Sequence, residues 1–229
     1  MLDRRTILLA GAAFAAPARA AGTDGSAANQ WFAVRGDAGN PVPNMRAPAE
    51  LVEDIEDLKG AIWAGPTSAA VQLVQFYDYN CPWCRQAHRT QEELRAARPD
   101  LRLGLVNNPI LSVASAQAAK IDLAVLRTHG APASYALHEK LFSLPGRIDG
   151  PRALEAVAAL GHDRAAIEKT ADSRETAALL RQQMQLAASL GISATPSYVV
   201  GGAVVLGFPG PKSLAAIVAN TASCGAIAC

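Results

Sequence analysis

Cysteine is scarce in this chain, and so is charge of one sign. Of 229 residues four are cysteines: Cys81, Cys84, Cys224 and Cys229. A structural zinc site needs four ligands, and the second pair lies far from the first, at the C-terminus. Lys and Arg number 21 against 20 Asp and Glu, a formal net charge of +1, which argues against a nucleic-acid surface. The N-terminal apolar stretch 6–16 is too short to span a bilayer. His129, His138 and His162 have no carboxylate or cysteine partner at ligand spacing, and Tyr135, Leu141 and Phe142 read as core, not as a cofactor box. What is present in quantity is apolar residue. A hydrophobic fraction of 50% is ample for a core, and the length suits one domain, or one domain with a sizeable insertion.

Residues 1–20 read as a targeting segment. Arg4-Arg5 make a charged n-region, 6–16 an apolar h-region, and Ala18-Arg19-Ala20 an A-x-A cleavage site. Arg4-Arg5 followed by Thr6-Ile7-Leu8 also fits a twin-arginine signal, with plain Sec export as the alternative. Cleavage after about Ala20 removes three arginines and one aspartate, a net +2, so the formal +1 becomes −1. Export implies an oxidising compartment, where disulfides form and persist.

The segment 21–47 is rich in Gly, Ala, Asn and Pro, carries no period, and predicts a loosely packed leader. Over 49–63, Leu51, Ile55, Leu58 and Ile62 recur at helical spacing with acidic residues opposite, which predicts an amphipathic helix. Packing on the domain and oligomerisation are its two readings. Gly65-Pro66 ends it.

At Cys81-Pro82-Trp83-Cys84 the sequence changes period. Val71-Gln72-Leu73-Val74-Gln75-Phe76-Tyr77 is β-branched and aromatic and predicts a buried strand. From Cys84 to Ala97 good helix formers continue without a breaker, and Pro82 suits a first helical turn. Cys81 therefore sits at a helix N-terminus, where backbone N–H groups and the dipole favour its thiolate. Cys84 lies one turn deeper, placed to close a disulfide, so Cys81 reads as the attacking sulfur and Cys84 as the resolving one. A structural disulfide and half of a metal site are the alternatives. The residues inside the motif, Pro82 and Trp83, tune thiolate stability, and Trp83 is placed to meet an unfolded chain with its ring. His88 shares the helix face of Cys84: as a cation it would favour the thiolate, and otherwise it is a surface or half-buried residue.

The run 101–106 predicts a second strand, parallel to the first through a βαβ crossover. Helical segments follow over 115–128, 133–142, 151–160, 163–171 and 174–190, punctuated by Gly130, Pro145-Gly146, Gly150 and Gly161. Strands 197–200 and 203–206 form a hairpin across Gly201-Gly202, and 213–219 a closing helix. Cys224 and Cys229 predict a local disulfide clamping the tail, with a redox relay as the alternative.

The stretch Phe76-Tyr77-Asp78-Tyr79-Asn80-Cys81-Pro82-Trp83-Cys84 resembles the active site of the DsbA-like thiol:disulfide oxidoreductases. Gly191-Ile192-Ser193-Ala194-Thr195-Pro196-Ser197-Tyr198 resembles that family's cis-proline strand. The similarity covers roughly residues 65–220, with both motifs in the family's order. It implies an α/β thioredoxin fold with an inserted α-helical domain: leader 21–64, thioredoxin domain 65–221, insertion about 112–190, tail 222–229. By the same resemblance, Pro196 would pack against the dithiol and the Thr195 backbone would pair with an extended substrate. One position departs from the pattern. The family usually carries a buried Asp or Glu six residues before the first cysteine, and here that residue is Gln75, which cannot take a proton. Asp78 alternates to the opposite face and reads as a turn residue.

The resemblance implies a periplasmic protein that introduces disulfides into reduced or unfolded exported proteins, without an organic cofactor or metal. It would be reoxidised by a DsbB-like membrane partner, or kept reduced by a DsbD-like one if it is an isomerase or reductase. A metal-binding or chaperone module is the reading from a different class.

Overall fold

The computed structural model describes residues 31–229; the targeting segment 1–20 and the start of the leader lie outside the described residues. A short strand β1 (Asn44–Arg46), a helix α1 (Ala49–Glu56) and a short strand β2 (Ile62–Ala64) come first. The βαβ unit follows: β3 (Val71–Tyr77), α2 (Pro82–Ala97) and β4 (Leu101–Asn107). Five helices come next, α3 (Val113–His129), α4 (Ala131–Ser143), α5 (Gly150–Ala159), α6 (Arg164–Ala171) and α7 (Arg174–Ser189). The hairpin β5 (Ser197–Val200) and β6 (Ala203–Leu206) and a closing helix α8 (Pro211–Cys224) complete the chain.

The six strands pair in the order β1-β6-β5-β3-β4-β2. β3 lies inside because it is apolar on both faces, the pattern of a strand covered from two sides. Val71, Leu73 and Tyr77 pack in one cluster with Cys84, Ala87 and Leu94 of α2. Val74 and Phe76 point the other way, into a cluster with Ile55 of α1 and Leu186 and Ala187 of α7. β3 and β4 run parallel from Val71 opposite Leu101 to Tyr77 opposite Asn107, and β5 closes on β3 antiparallel. Gly201 and Gly202 turn the β5–β6 hairpin with φ of +53° and +69°, the left-handed region glycine enters without a Cβ clash.

Two expectations need correction. The segment read as a loose leader carries an edge strand: β1 pairs antiparallel with β6, and the buried Asn44 amide bonds the Phe32 backbone in both directions at 2.8 and 2.9 Å. A three-residue strand held by backbone pairing and one asparagine leaves no periodic signal. The helix expected over 49–63 stops at Glu56, and Ile62–Ala64 instead pairs antiparallel with β4. Gly60, at φ +98° and with Leu123 Cδ2 3.0 Å from where a Cβ would stand, breaks the helical period. α1 itself packs on its own chain, with Ile55 buried.

The helical insertion is capped by its own side chains. Ser112, Asp149, Asp163 and Ser173 accept backbone N–H groups at the starts of α3, α5, α6 and α7, each such cap contributing about 1 kcal/mol. A buried carboxylate bolts the insertion to the sheet. Asp122 on α3 accepts the Tyr77 hydroxyl at 2.9 Å, the Asn107 amide at 3.0 Å and the Ser134 hydroxyl at 2.6 Å. Tyr77 and Asn107 end β3 and β4, so this one residue fixes α3 and α4 against the strand ends that lead into the CxxC turn.

The tail is closed by a Cys224–Cys229 disulfide. It packs beneath the hairpin turn: a Cβ on Gly201 would come within 2.9 Å of Thr221 Oγ1 and 3.3 Å of the Gly225 carbonyl. β5 is four residues long, so the turn lies about 13 Å along the strand from Pro196. That geometry sets the tail disulfide at the far end of β5 from Cys81 and removes the basis for an intramolecular redox relay.

An Asp122→Ala substitution strands three buried donors, each costing roughly 1–3 kcal/mol. A loss of at least about 3 kcal/mol in urea unfolding is therefore expected, and a loss below about 1 kcal/mol would show that the insertion is held elsewhere.

Candidate active site

Cys81 is the N-cap of α2, in extended backbone at φ −83° and ψ 118°, with Pro82 in the first turn. Both Cys81 and Cys84 are free thiols in this structure; Cys81 is 5% exposed and Cys84 fully buried. The turn before them is tightly fastened. The Asp78 carboxylate accepts the Asn80 and Leu111 N–H groups at 2.8 and 2.9 Å, which is the turn role its position suggested. Asn80 reaches the insertion, donating to the Ile148 carbonyl at 2.8 Å and accepting the Ile148 N–H at 2.7 Å. Sequence reasoning passed over Asn80, because its partner lies 68 residues away.

Thr195–Pro196 is a cis peptide, and the structure brings it to the cysteines: Cys81 Sγ donates to the Thr195 carbonyl at 3.1 Å. Pro196 is buried and Trp83 is 59% exposed. Ile110, Leu111 and Val113, between β4 and α3, are exposed as well, and the Leu111 N–H bond to Asp78 ties that segment to the turn before Cys81.

The two thiols differ in charge preference. Cys81 is lowered to about 6, first by a hydrogen bond from the Cys84 thiol, against the opposing effect of burial, and then by the backbone N–H of Cys84, the Thr195 side chain and the backbone N–H of Trp83. Cys84 is pushed far upward, first by burial and then by its hydrogen bond to Cys81 and the Cys81 charge. Such a pair has one sulfur poised to attack or be attacked and one that stays a thiol until the bond exchange reaches it.

His88 does not supply the expected cation. Burial holds its imidazole below the usual range, so it is neutral at pH 7, stacked on Phe142 with ring centroids 5.4 Å apart and edge-on to His138 at 5.2 Å. Its place is in an aromatic cluster with Tyr77, Tyr79 and Phe142. Arg85 on α2 donates to the Phe142 and Leu144 carbonyls, tying the end of α4 to the catalytic helix. Among the described residues no group of three or more His, Cys, Asp or Glu side chains is placed to hold a metal ion.

A βαβ unit closed by an antiparallel hairpin, with helices inserted and a CxxC at the start of α2, defines the thioredoxin class of dithiol proteins. Within that class the DsbA-like thioredoxin domain matches residues 72–219, and the chain belongs to this family of thiol:disulfide oxidoreductases. A thioredoxin-like oxidoreductase from Silicibacter pomeroyi is 31% identical, with a TM-score of 0.66 over 73% of this chain and 94% of its own. A periplasmic thioredoxin-like protein from Salmonella enterica serovar Typhimurium superposes with a TM-score of 0.69 at 23% identity, over 78% of this chain and 99% of its own. The thiol-disulfide exchange protein alpha-DsbA2 from Wolbachia pipientis gives 0.68 at 22% identity, over 75% and 92%. The search of curated proteins gave no match.

The lowered thiol sets a pH dependence. Because the folded value lies below the ordinary 9.0, the thiolate adds stability to the reduced form at high pH and that contribution is lost as pH falls through about 6. Iodoacetamide alkylation of the reduced protein is expected to rise with a midpoint near 6 and to modify Cys81 alone. A midpoint in the ordinary thiol range, or modification of Cys84 in the folded protein, would contradict the assignment.

Proposed function

We propose that this chain is an exported, periplasmic thiol:disulfide interchange protein that introduces disulfides into reduced or unfolded exported proteins. The observation that carries this reading is the place of Cys81 at the N-cap of α2, beside the Cys84 thiol. The Cys84 S–H and the backbone N–H groups of Cys84 and Trp83 favour its thiolate, and none of them has a thiolate to act on once Cys81 and Cys84 are joined. The reduced state is favoured accordingly, which raises the reduction potential and makes the disulfide a donor.

In the step itself a substrate thiolate attacks Cys81 Sγ. The Cys81–Cys84 bond breaks, its electron pair goes to Cys84 Sγ, and a mixed disulfide with Cys81 forms. A second substrate thiolate attacks the substrate sulfur, releasing the oxidised substrate and leaving Cys81 as thiolate and Cys84 as thiol. Attack on Cys81 is directed by access, since Cys84 is buried. The Thr195 backbone beside Cys81 would hold an extended chain by β-pairing, and Trp83 with Ile110, Leu111 and Val113 would take its apolar side chains. Proteins of the DsbA-like family work with substrate proteins and membrane redox partners; for this chain a DsbB-like protein is the partner an oxidase needs.

Equilibration against glutathione tests the direction. The expected potential is on the oxidising side, between roughly −120 and −200 mV; a value near roughly −270 mV would replace the oxidase by a reductase. Trp83→Ala is expected to slow oxidation of an unfolded protein severalfold while leaving oxidation of a small thiol unchanged, as measured by parallel thiol-consumption rates.

A further inference from the structure

Directly behind the dithiol the structure leaves buried polar atoms unpaired. Gln75 and Tyr198 are both 0% exposed, yet neither amide atom of Gln75 nor the hydroxyl of Tyr198 has a hydrogen-bond partner. Interiors seldom tolerate this, and a redox or catalytic role is one of the reasons they do. Nearby the contrast is sharp: the Asp122 carboxylate has both oxygens satisfied.

The two residues face each other across β3 and β5, Gln75 opposite Tyr198 in the register. Strand alternation puts them on the face of Leu73, Tyr77 and Val200, the face that packs against Cys84 and Ala87. The Tyr198 hydroxyl lies against the Gln75 amide and within electrostatic reach of the Cys84 and Cys81 sulfurs, and burial above all keeps it protonated. Tyr198 follows Pro196 by two residues, so the cis-proline segment presents Thr195 to the outer side of the dithiol and Tyr198 to the inner side.

Cys84 needs help when the disulfide opens. It is fully buried, so water does not solvate the departing thiolate, and the neighbouring His88 is neutral. The Asp78 backbone and the Thr195 side chain favour its charged form, both from the turn side. The Tyr198 hydroxyl on the sheet side, held by no well-formed hydrogen bond and with only the Gln75 amide against it, is a further donor.

We propose that Tyr198 donates a hydrogen bond to Cys84 Sγ as the disulfide opens, and that Gln75 is the positioning residue that holds the ring there without titrating. The sulfur–sulfur bond breaks with its electron pair on Cys84; Tyr198 shares its proton with that sulfur but keeps it, and a solvent proton then converts the thiolate to thiol. Catalytic hydrogen bonds that are unformed in the resting state and tighten as charge develops are common. The inference concerns bond exchange at the dithiol and holds in either direction of electron flow, so it stands apart from the oxidase reading.

The test is stopped-flow opening of the oxidised full-length protein by glutathione, read by intrinsic tryptophan fluorescence, in wild type, Tyr198→Phe and Gln75→Leu. Removing the hydroxyl is expected to slow opening by at least about tenfold, the rate equivalent of one hydrogen bond to a charged sulfur. At the same time the melting temperature stays equal or rises, because an unpaired buried hydroxyl has been replaced by a ring edge. Alkylation of reduced Cys81 keeps its midpoint, and Gln75→Leu gives a smaller loss of rate. Opening of Tyr198→Phe within twofold of wild type overturns the proposal. So does a joint fall in rate and melting temperature, which would make the hydroxyl a support of the fold and not of the sulfur.

Discussion

The contact between Cys81 Sγ and the Thr195 carbonyl joins residues 114 positions apart, and much of the architecture serves to make it. It requires β3 to end where α2 begins, and β5 to start beside that point on the neighbouring strand. It also requires five helices between them to return the chain to the sheet beside β3 without disturbing either. The register Phe76 opposite Ser197 sets the second condition. The Asp122 hub and the Asn80–Ile148 pair of hydrogen bonds set the third, since they lock the insertion to the strand ends and to the residue preceding Cys81.

Once the contact is made, competition between burial and hydrogen bonding decides the chemistry. Burial raises both thiols. At Cys81 the hydrogen bond from the Cys84 thiol, joined by the N–H groups of the helix N-terminus, outweighs it; at Cys84, one turn deeper, burial prevails. The asymmetry thus follows from a spacing of three residues across the first turn of a helix. No cation is required, and burial keeps the nearest imidazole, His88, neutral.

The elements nearest the dithiol were legible because their signals are local. β3, α2, β4 and the hairpin with its Gly201-Gly202 turn are each dictated by a period or a turn residue within a few positions. β1 and β2 were not: three residues apiece, they exist through pairing with distant strands and have no pattern of their own. The same limit hid Asn80 and Asp122, whose partners are supplied by the fold. For His88 helical spacing gave the correct face, yet spacing cannot report that Phe142 and His138 would enclose the ring. Gln75 was legible as a departure from its family, but its pairing with Tyr198 was not, since only the β3–β5 register brings the two together.

Gln75 and Asp122 show how the same core handles polarity in two ways. Both are fully buried within the described residues, and both lie close to the CxxC turn. Around Asp122 every oxygen has a donor, which suits a joint that must not move. Around Gln75 and Tyr198 no well-formed hydrogen bond holds either group, only their own close approach, which costs stability and leaves the groups free to respond when charge appears on a sulfur beside them. A buried acid at the Gln75 position would couple disulfide opening to its own titration. An amide and a phenol do not change charge near neutral pH, so the pH dependence of the dithiol passes to the more accessible sulfur, Cys81, where helix and solvent set it together.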